Sequence, residues 1–580
     1  VGYKDQVIPS LRLSVILPWF RKLEEFRQVL PFNAAAWRRS DLEVILVLDE
    51  PSEEGPLLEL LRTEPEIGWK VIVNDQPHPW RPPCKAINVG LRHARGRFVL
   101  VASPESAYVG DVPAAVLDTL EAFPDAVVMG RVGFARLGEV AGLQDLAALF
   151  RQRATALVET QSYYGSMAMA REAITAIGGY DETFTTWGGD DDNVRVRLEM
   201  AGRPLIGCPE LKLLHLSLGD RPTSRNPGFS YDPKEVARRC APAQPVSSPA
   251  EGWGRSFQRL AFATAPASEA PAQPPPARAE ILKNLVLAVS LRTCPGCGRR
   301  IYHAVAEPPC PQCRGNIPLP RQTSALLSER GRAAKVVAVL QLRDEAAYLP
   351  GCLDHLRPYV DGFVALDDGS TDGTRSVLAR EPKLLSLLEN PPQEPHRWDE
   401  RENRRRLLTE AARVGADWVL CCDADERFEM AFLRRIRSLA GAFPWHGQVY
   451  LYVLFRELWN SPVRFRVDGP WGDKKRARFF SLPKEITFNL DKDFHGEWFP
   501  DCMRLDGQGV DDPGCLYHLR SVLRSDRIRR RDRYKGLDPT CEFQEIGYDY
   551  LAEEGPGLRL QTIAQGREYD LSTLPEALQF

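Results

Sequence analysis

Short, nearly unbroken apolar runs recur along the chain: LSVILPW from Leu13, LEVILVLD from Leu42, KVIVND from Lys70 and RFVLVAS from Arg97. Segments of mixed polarity with helix-like spacing separate them. Strands buried on both faces read as continuous apolar runs because helices cover the sheet on either side. The alternation therefore predicts an α/β fold, a parallel or mixed sheet between helices. Between about Cys240 and Glu280 the rhythm fails and gives way to APASEAPAQPPPARAE. Its prolines can neither continue a helix nor join a central strand, which predicts a linker. The rhythm restarts with KVVAVLQL at Lys335, GFVALDD at Gly362 and DWVLCCDAD at Asp417. The expected organisation is a first domain over 1–239, a linker over 240–280, a cysteine-rich insert over 281–333 and a second domain over 334–580. The two domains repeat in architecture, with little direct identity.

Composition narrows the function classes. In 580 residues, 43% apolar and 26% charged positions supply full-sized cores and exclude wholesale disorder. With 75 Lys+Arg against 78 Asp+Glu the formal charge is −3, so no global field draws the chain to nucleic acid or an anionic membrane. The most apolar stretch, ILKNLVLAVSL from Ile281, carries Lys283 and Asn284 and falls short of the roughly 18 residues that span a bilayer. A cytoplasmic protein without a transmembrane segment is expected. The thirteen cysteines, an odd number in a long chain, argue against a disulfide framework.

Four of them form CPGC (Cys294, Cys297) and CPQC (Cys310, Cys313). Two such knuckles have the ligand count of a tetrahedral Zn²⁺ site, and four thiolates close it, so the metal would be structural. A redox role for each C-x-x-C is the alternative, although neither sits in a βαβ context.

Candidate chemistry lies at the strand ends, where open α/β sheets bind ligands. GFVALDDGSTDGT places Asp367 and Asp368 there, ahead of a turn whose composition would serve equally as a plain loop. DWVLCCDADERFE then releases Asp423 and Asp425 from a strand with one residue between them. If the extended conformation continues, both face one way and could share a divalent cation. Mg²⁺ or Mn²⁺ takes carboxylate oxygens together with substrate phosphates.

In this order the two motifs resemble the nucleotide-sugar half of a GT-A fold glycosyltransferase of family 2, over about Lys335 to Glu429. VVAVLQLRDEAAYL fits the same resemblance, with Arg343, Asp344 and Glu345 in its short turn. The resemblance implies that Asp367 and Asp368 hold base and ribose, and that Asp423 and Asp425 hold ribose and metal. Further on, RARFFSLP from Arg476, FHGEW around His495 and LYHLRS around His518 resemble lipopolysaccharide-core-type transferases. That implies a late metal or phosphate ligand at His518, against a purely structural histidine. The candidate bases are Glu497 and Asp473.

In the first half, GGYDETFTTWGGDDDNVRVRL from Gly178 resembles the G-G-[YF]-D-E … W-G-G-E-D motif of chondroitin-polymerase-like enzymes and β-1,4-galactosyltransferases. Glycines let backbone approach a sugar, Trp187 offers it a flat face, and the acids can take an acceptor proton. The resemblance implies Asp191 as catalytic base beside Asp190. The plain alternative is an acid-rich helix N-terminus. Asp49 takes the nucleotide-binding position, and CKAINVGLRHARG resembles the helix that presents Lys85 to a diphosphate. Where the family has its D-x-D, this chain has Ser103, Pro104 and Glu105. Glu105 and His215 would complete a cation site with the diphosphate, or the domain works without metal, or it only binds glycan. The basic RIRRRDRYK at Arg527 reads as a solvated helix face or a site for acidic acceptor groups.

The expectation is a bifunctional inverting glycosyltransferase, of hexosyl type, with a nucleotide-sugar donor, a glycan acceptor, Mn²⁺ or Mg²⁺ at the diphosphate and structural Zn²⁺. Three rivals stay open: one active head with a glycan-binding first domain, a zinc-dependent nucleic-acid or scaffold protein, and a zinc-docked transferase acting on modified DNA.

Overall fold

The computed structural model describes residues 11–579, except 155–165, 218–229, 241, 243, 247–251, 258, 267–275, 289–290, 303–309, 311, 314, 316, 395–398, 491–495, 542–543 and 545. The chain divides into two compact units, Val1–Leu326 and Leu327–Phe580.

In the first unit, β1 (Leu13–Trp19), β2 (Leu42–Leu48), β3 (Trp69–Val73) and β4 (Phe98–Val101) are the apolar runs of the sequence, paired in parallel. Alternate residues serve opposite layers: Val15 and Leu17 join one core, Ile16 the other. The short β5 (Ser106–Tyr108), β6 (Val127–Arg136), β7 (Met167–Ala170) and β8 (Leu205–Ser217) extend the sheet. Between its edge strands the order is β8-β6-β7-β4-β1-β2-β3, with β5 on β8.

The edges bring a correction. Part of the expected linker is structural: β9 (Arg259–Ala263) pairs antiparallel with β3, and Trp253 is buried beneath the Arg92 guanidinium, 4.2 Å from its ring. At the other edge β10 (Val286–Ala288) pairs with β8. The five residues RLAFA contain no proline, and an edge strand needs a ladder on one side only, so a proline-rich neighbourhood does not forbid it. The hairpin β11 (Leu291–Thr293) and β12 (Arg300–Tyr302) carries the first cysteine knuckle.

The second unit contains β13 (Val336–Leu342), β14 (Gly362–Asp368), β15 (Leu384–Asn390), β16 (Trp418–Cys421), β17 (Glu426–Phe428), β18 (Val449–Glu457), β19 (Arg464–Arg466), β20 (Lys475–Ser481), β21 (Gln508–His518) and β22 (Leu560–Thr562). The main sheet runs β15-β14-β13-β16-β20-β18-β21-β17, and β19 pairs with β22. Position for position this is β3-β2-β1-β4-β7-β6-β8-β5 of the first unit. The strand senses agree as well: β4–β7 and β16–β20 are antiparallel, whereas β6–β8 and β18–β21 are parallel.

Among the described residues the cysteines are all free thiols, and Cys84, Cys208, Cys240, Cys352, Cys421, Cys422 and Cys515 are buried as small apolar groups. No described helix is long and apolar enough to cross a membrane.

Candidate active site

The parallel strands of each unit end on one edge of its sheet, and the predicted acids gather there. In the second unit, register places Asp368 beside Asn390, whose Nδ2 donates to Asp368 Oδ1 at 2.6 Å. Asp367 is fully buried, receives Arg375 Nε at 2.5 Å, and its Oδ1 has no hydrogen-bond donor among the described residues. The turn after β13 braces the DDGSTDGT turn. Asp344, with φ +53°, accepts from Thr371 N at 2.7 Å, while Glu345 N donates to Thr374 Oγ1 at 2.8 Å.

The D-x-D segment departs from the extended geometry expected of it. The strand stops at Cys421, and Glu426 N donates back to Asp423 O at 3.0 Å, closing a turn. The two carboxylates consequently meet different cations. Asp423, 43% exposed, accepts from Arg478 at 3.1 Å, whereas Asp425 accepts from Arg520 Nε at 2.6 Å and lies 3.3 Å from His518 Nε2. Burial opposes the charge of Asp425, but Arg520 and His518 outweigh it and hold the carboxyl well below its usual range. His518 is no isolated core histidine: Glu457 meets its Nδ1 at 2.6 Å, and the two acids raise it to about 9 despite its burial. Burial also raises Glu345 to about 8, against the pull of Arg520, and Glu426 to about 7, against Arg478.

These groups line a cleft of two lobes, about 230 and 250 Å³, which share Arg404, Asp423, Trp498, His518 and Arg530 among their walls. The basic run, read from sequence as a solvated helix face or a site for acidic acceptor groups, borders it, since Arg529, Arg530, Arg533 and Tyr534 of the helix Arg524–Leu537 line the first lobe. Glu497 lines the second. Asp473 is exposed and lies outside both linings, which separates it from the chemistry expected of it. His495 lies outside the described residues.

The first unit repeats the register with altered side chains. Asp49 follows β2 as Asp368 ends β14, and Asn74 Nδ2 donates to Asp49 O at 3.0 Å. Arg81 grips the Asp49 carboxylate with Nη2 at 2.6 Å and Nε at 2.9 Å. The Ser103–Glu105 segment makes the same turn, Ser106 N donating to Ser103 O at 3.1 Å. Across the ladder Ser106 faces His215 just as Glu426 faces His518.

Glu105 and His215 do come together, at 3.4 Å, but the expected cation site is altered by Lys22, whose Nζ lies 2.9 Å from Glu105. Lys22 follows β1 where Glu345 follows β13, each one residue after a positive-φ position, Arg21 and Asp344, both at +53°. Burial opposes both charges of this pair. Their attraction prevails, holding Glu105 well below and Lys22 above the usual values. Lys85 stands half-buried in the first turn of the helix Cys84–His93.

The acceptor-side string forms a braced loop and a helix, Asp190–Met200, capped by Gly189 at φ +84°. Asn88 bonds Tyr180 at both backbone groups, donating to O at 2.8 Å and accepting from N at 2.7 Å. Buried Arg197 donates to Asn193 Oδ1 at 2.8 Å, Ile177 O at 2.9 Å and Gly179 O at 2.7 Å. Asp192 pairs with Arg195 at 2.6 Å. Asp191 is raised to about 7, chiefly by burial and then by the charge of Asp190, which burial also raises. Trp187 is 52% exposed, with its ring 5.9 Å from that of Tyr231.

Residues 158–209 match the family model described as the N-terminal domain of galactosyltransferase. That segment is galactosyltransferase-like. It contains the braced loop and the whole of the acid-bearing helix, and its first residues, 158–165, lie outside the described ones. A TPR repeat-containing protein of Synechococcus elongatus is 31% identical over 105 residues, which cover 18% of this chain and 24% of that protein. The crystal structure of S. aureus TarS is similar at 16% identity and TM-score 0.28, over 36% of this chain and 37% of TarS. TarS 1-349 in complex with UDP-GlcNAc gives 14% and 0.29, over 39% of this chain and 64% of that one. The chain thus spans about a quarter of the matched curated relative and about a third of TarS, and likeness at these scores carries no weight for what it binds.

The cysteine quartet assembles as expected. Sγ atoms of Cys294 and Cys313 are 3.5 Å apart, those of Cys297 and Cys310 3.7 Å, and all four lie within 4.8 Å of one another. Tetrahedral Zn²⁺ with Zn–S of about 2.3 Å needs S···S of about 3.8 Å, so the group could hold that metal. Backbone amides of Cys313 and Gln312 hold the Cys310 thiol down at about 6, which favours the thiolate a metal requires.

Sequence reasoning missed Lys22, Arg81, Arg375, Arg404 and Arg520. Long cations acting from loops or other elements leave no periodic signal. Arg197 is a further omission with a measurable consequence. Arg197→Ala strands two carbonyls and Asn193, and is expected to cost the first unit about 3 kcal/mol, read as a lowered midpoint in urea unfolding.

Proposed function

We propose that the protein is an inverting glycosyltransferase with a nucleotide-sugar cleft in each unit, GT-A-like in fold. The observation that carries this reading is the register common to both sheets. Each has an aspartate leaving the second parallel strand beside an asparagine, and an acidic turn after the fourth facing a histidine. The galactosyltransferase-like segment supports it for the first unit. There Asp191 takes the proton of an acceptor hydroxyl and the oxygen attacks the anomeric carbon. The bond from that carbon to the diphosphate breaks, and the nucleoside diphosphate leaves with the electron pair. In the second unit Glu497 takes the same role, a reading supported by its position in the lining of the cleft, and Asp49 and Asp368 hold the two nucleotides.

The units differ in how charge on the leaving diphosphate is met. In the second, Asp425 and His518, with phosphate oxygens, would hold Mn²⁺ or Mg²⁺ once the ion displaces the His518 proton and draws Asp425 from Arg520, and the ion would supply charge neutralisation there. In the first, the ammonium of Lys22 at Glu105 leaves a cation poorly accommodated, so Lys22 itself faces the diphosphate. Dialysis into buffer free of Mn²⁺ and Mg²⁺ is expected to stop turnover in an Asp191→Asn chain and to spare it in an Asp425→Asn chain.

A second reading, favoured by the Lys22–Glu105 and Arg81–Asp49 pairs, keeps only the second unit active and uses the first to bind glycan. Hydrolysis of a panel of nucleotide sugars separates the two. Each single variant retains part of the activity if both units work, whereas Asp191→Asn leaves turnover unchanged if only the second does. Activity in neither arm defeats both readings.

A further inference from the structure

We propose that the second lobe of the cleft in the Leu327–Phe580 unit binds an oxyanion, phosphate or carboxylate, carried by the acceptor. The inference rests on reading that cleft as a transferase site and specifies its acceptor class. Arg476 and Arg478 of β20 both line this lobe, as does Lys474, which immediately precedes the strand. Arg404 approaches from the helix Glu400–Arg413, and Trp498 stacks near both Arg404 and Arg478, at 5.1 and 5.7 Å.

Three of the four acids lining the lobe are engaged by other cations: Glu400 holds Arg404 at 2.7 Å, and Glu426 and Asp423 hold Arg478 at 2.6 and 3.1 Å; Glu497 is the fourth, and Arg530 has Glu457 at 3.4 Å. Among the described residues no carboxylate lies within ion-pair distance of Lys474 or Arg476, which rest on aromatic rings. Lys474 Nζ is 4.8 Å from Phe455 and 5.0 Å from Trp471, and the Arg476 guanidinium is 5.7 Å from Phe455. Two further donors point to a missing acceptor. Nε of Arg404 and Nε of Arg478 are buried without a hydrogen bond, on side chains only 8% and 6% exposed.

Cationic groups gathered out of water with spare donors are costly unless an anion meets them. Burial, with the neighbouring charges of Arg476 and Arg530, pushes Lys474 down to about 8, and burial beside Arg478 lowers Arg476. An oxyanion in this lobe would accept from all four side chains, in the charge-assisted manner that suits guanidinium groups. Being continuous with the lobe that carries Asp368 and Asp425, the site would set an anionic acceptor beside the donor.

The test is calorimetric titration of the full chain with inorganic phosphate, acetate and UDP, for the wild type, Lys474→Met, Arg476→Gln and Lys474→Arg. Phosphate or acetate binding is expected to weaken about tenfold or more in the first two variants and to persist in Lys474→Arg, with UDP affinity unchanged throughout. No heat with either anion, anion binding indifferent to the variants, or UDP and phosphate weakening together would overturn the proposal. The last outcome would assign these cations to the donor diphosphate. Phosphate should also protect Lys474 of the wild-type chain from amine-reactive labelling, a readout that needs no variant, and unprotected labelling likewise overturns it. Anion binding without nucleotide binding would uphold the oxyanion site and remove the transferase reading.

Discussion

Asp191→Asn is expected to slow sugar transfer by the first unit about 10²–10⁴-fold, measured in a chain whose second unit is silenced by Asp425→Asn. The amide keeps the shape and removes the proton acceptor, so acceptor and donor affinities should change little while the maximal rate falls. The same carboxyl predicts a pH profile. Asp191 is held at about 7 because burial and Asp190 disfavour its charge, and a base works only when ionised. First-unit activity should therefore rise with pH through about 7, level off above it and vanish in acid. Stability moves the opposite way. The folded-state value lies above the ordinary 3.8, so the folded chain binds the proton more tightly than the unfolded one. That contribution is complete below the ordinary value and is lost as pH rises through about 7. A pH profile flat between 5 and 8, or an Asp191→Asn chain of undiminished rate, would remove Asp191 from the base role.

Replacing Cys294 by Ser is expected to release zinc from the chain and unfold the knuckles. Among the described residues their core consists of Cys294, Cys310 and Ile317, with Cys297 packed against it, and burial by that group alone cannot offset chain entropy. Metal binding has to supply the difference, on the order of 10–16 kcal/mol for a structural zinc. The backbone is arranged for it: Gly298 N donates to Cys294 O at 2.9 Å, and Cys310 N donates to Gly315 O at 3.0 Å, each closing a knuckle around sulfur. Elemental analysis should find one zinc per wild-type chain and none in the variant, with amide exchange across Leu291–Tyr302 becoming unprotected. Unchanged protection in a zinc-free chain would mean that the four thiols pack without metal.

The parts legible in the sequence are those whose physics is local. β1 and β14 coincide with the runs LSVILPW and GFVALDD because a strand buried on both faces has no polar position to blur its ends. Asp368 is legible because it ends such a strand at the sheet edge, whereas Asp49 and Glu105 are picked out only by the family resemblance. The misreadings involve partners distant in sequence. RLAFA becomes β9 only because β3 offers an open edge nearly 190 residues away in sequence. The acids of the Asp423–Glu426 turn meet cations more than fifty residues downstream, Asp423 and Glu426 pairing with Arg478 and Asp425 with Arg520. Lys22 has no motif of its own; its role appears once β5 delivers Glu105 beside it. The helix Arg524–Leu537 is so polar that composition leaves it open between a solvated face and a site for acidic groups, and only the fold shows that its arginines border the cleft.

The central claim is that each unit holds a nucleotide at the ends of its parallel strands. Calorimetric titration with uridine and guanosine diphosphates tests it most directly, comparing the wild type with Asp49→Ala and Asp368→Ala. The account predicts two nucleotides bound per wild-type chain and one in each variant. No binding of either nucleotide, or a stoichiometry that neither substitution alters, would contradict it.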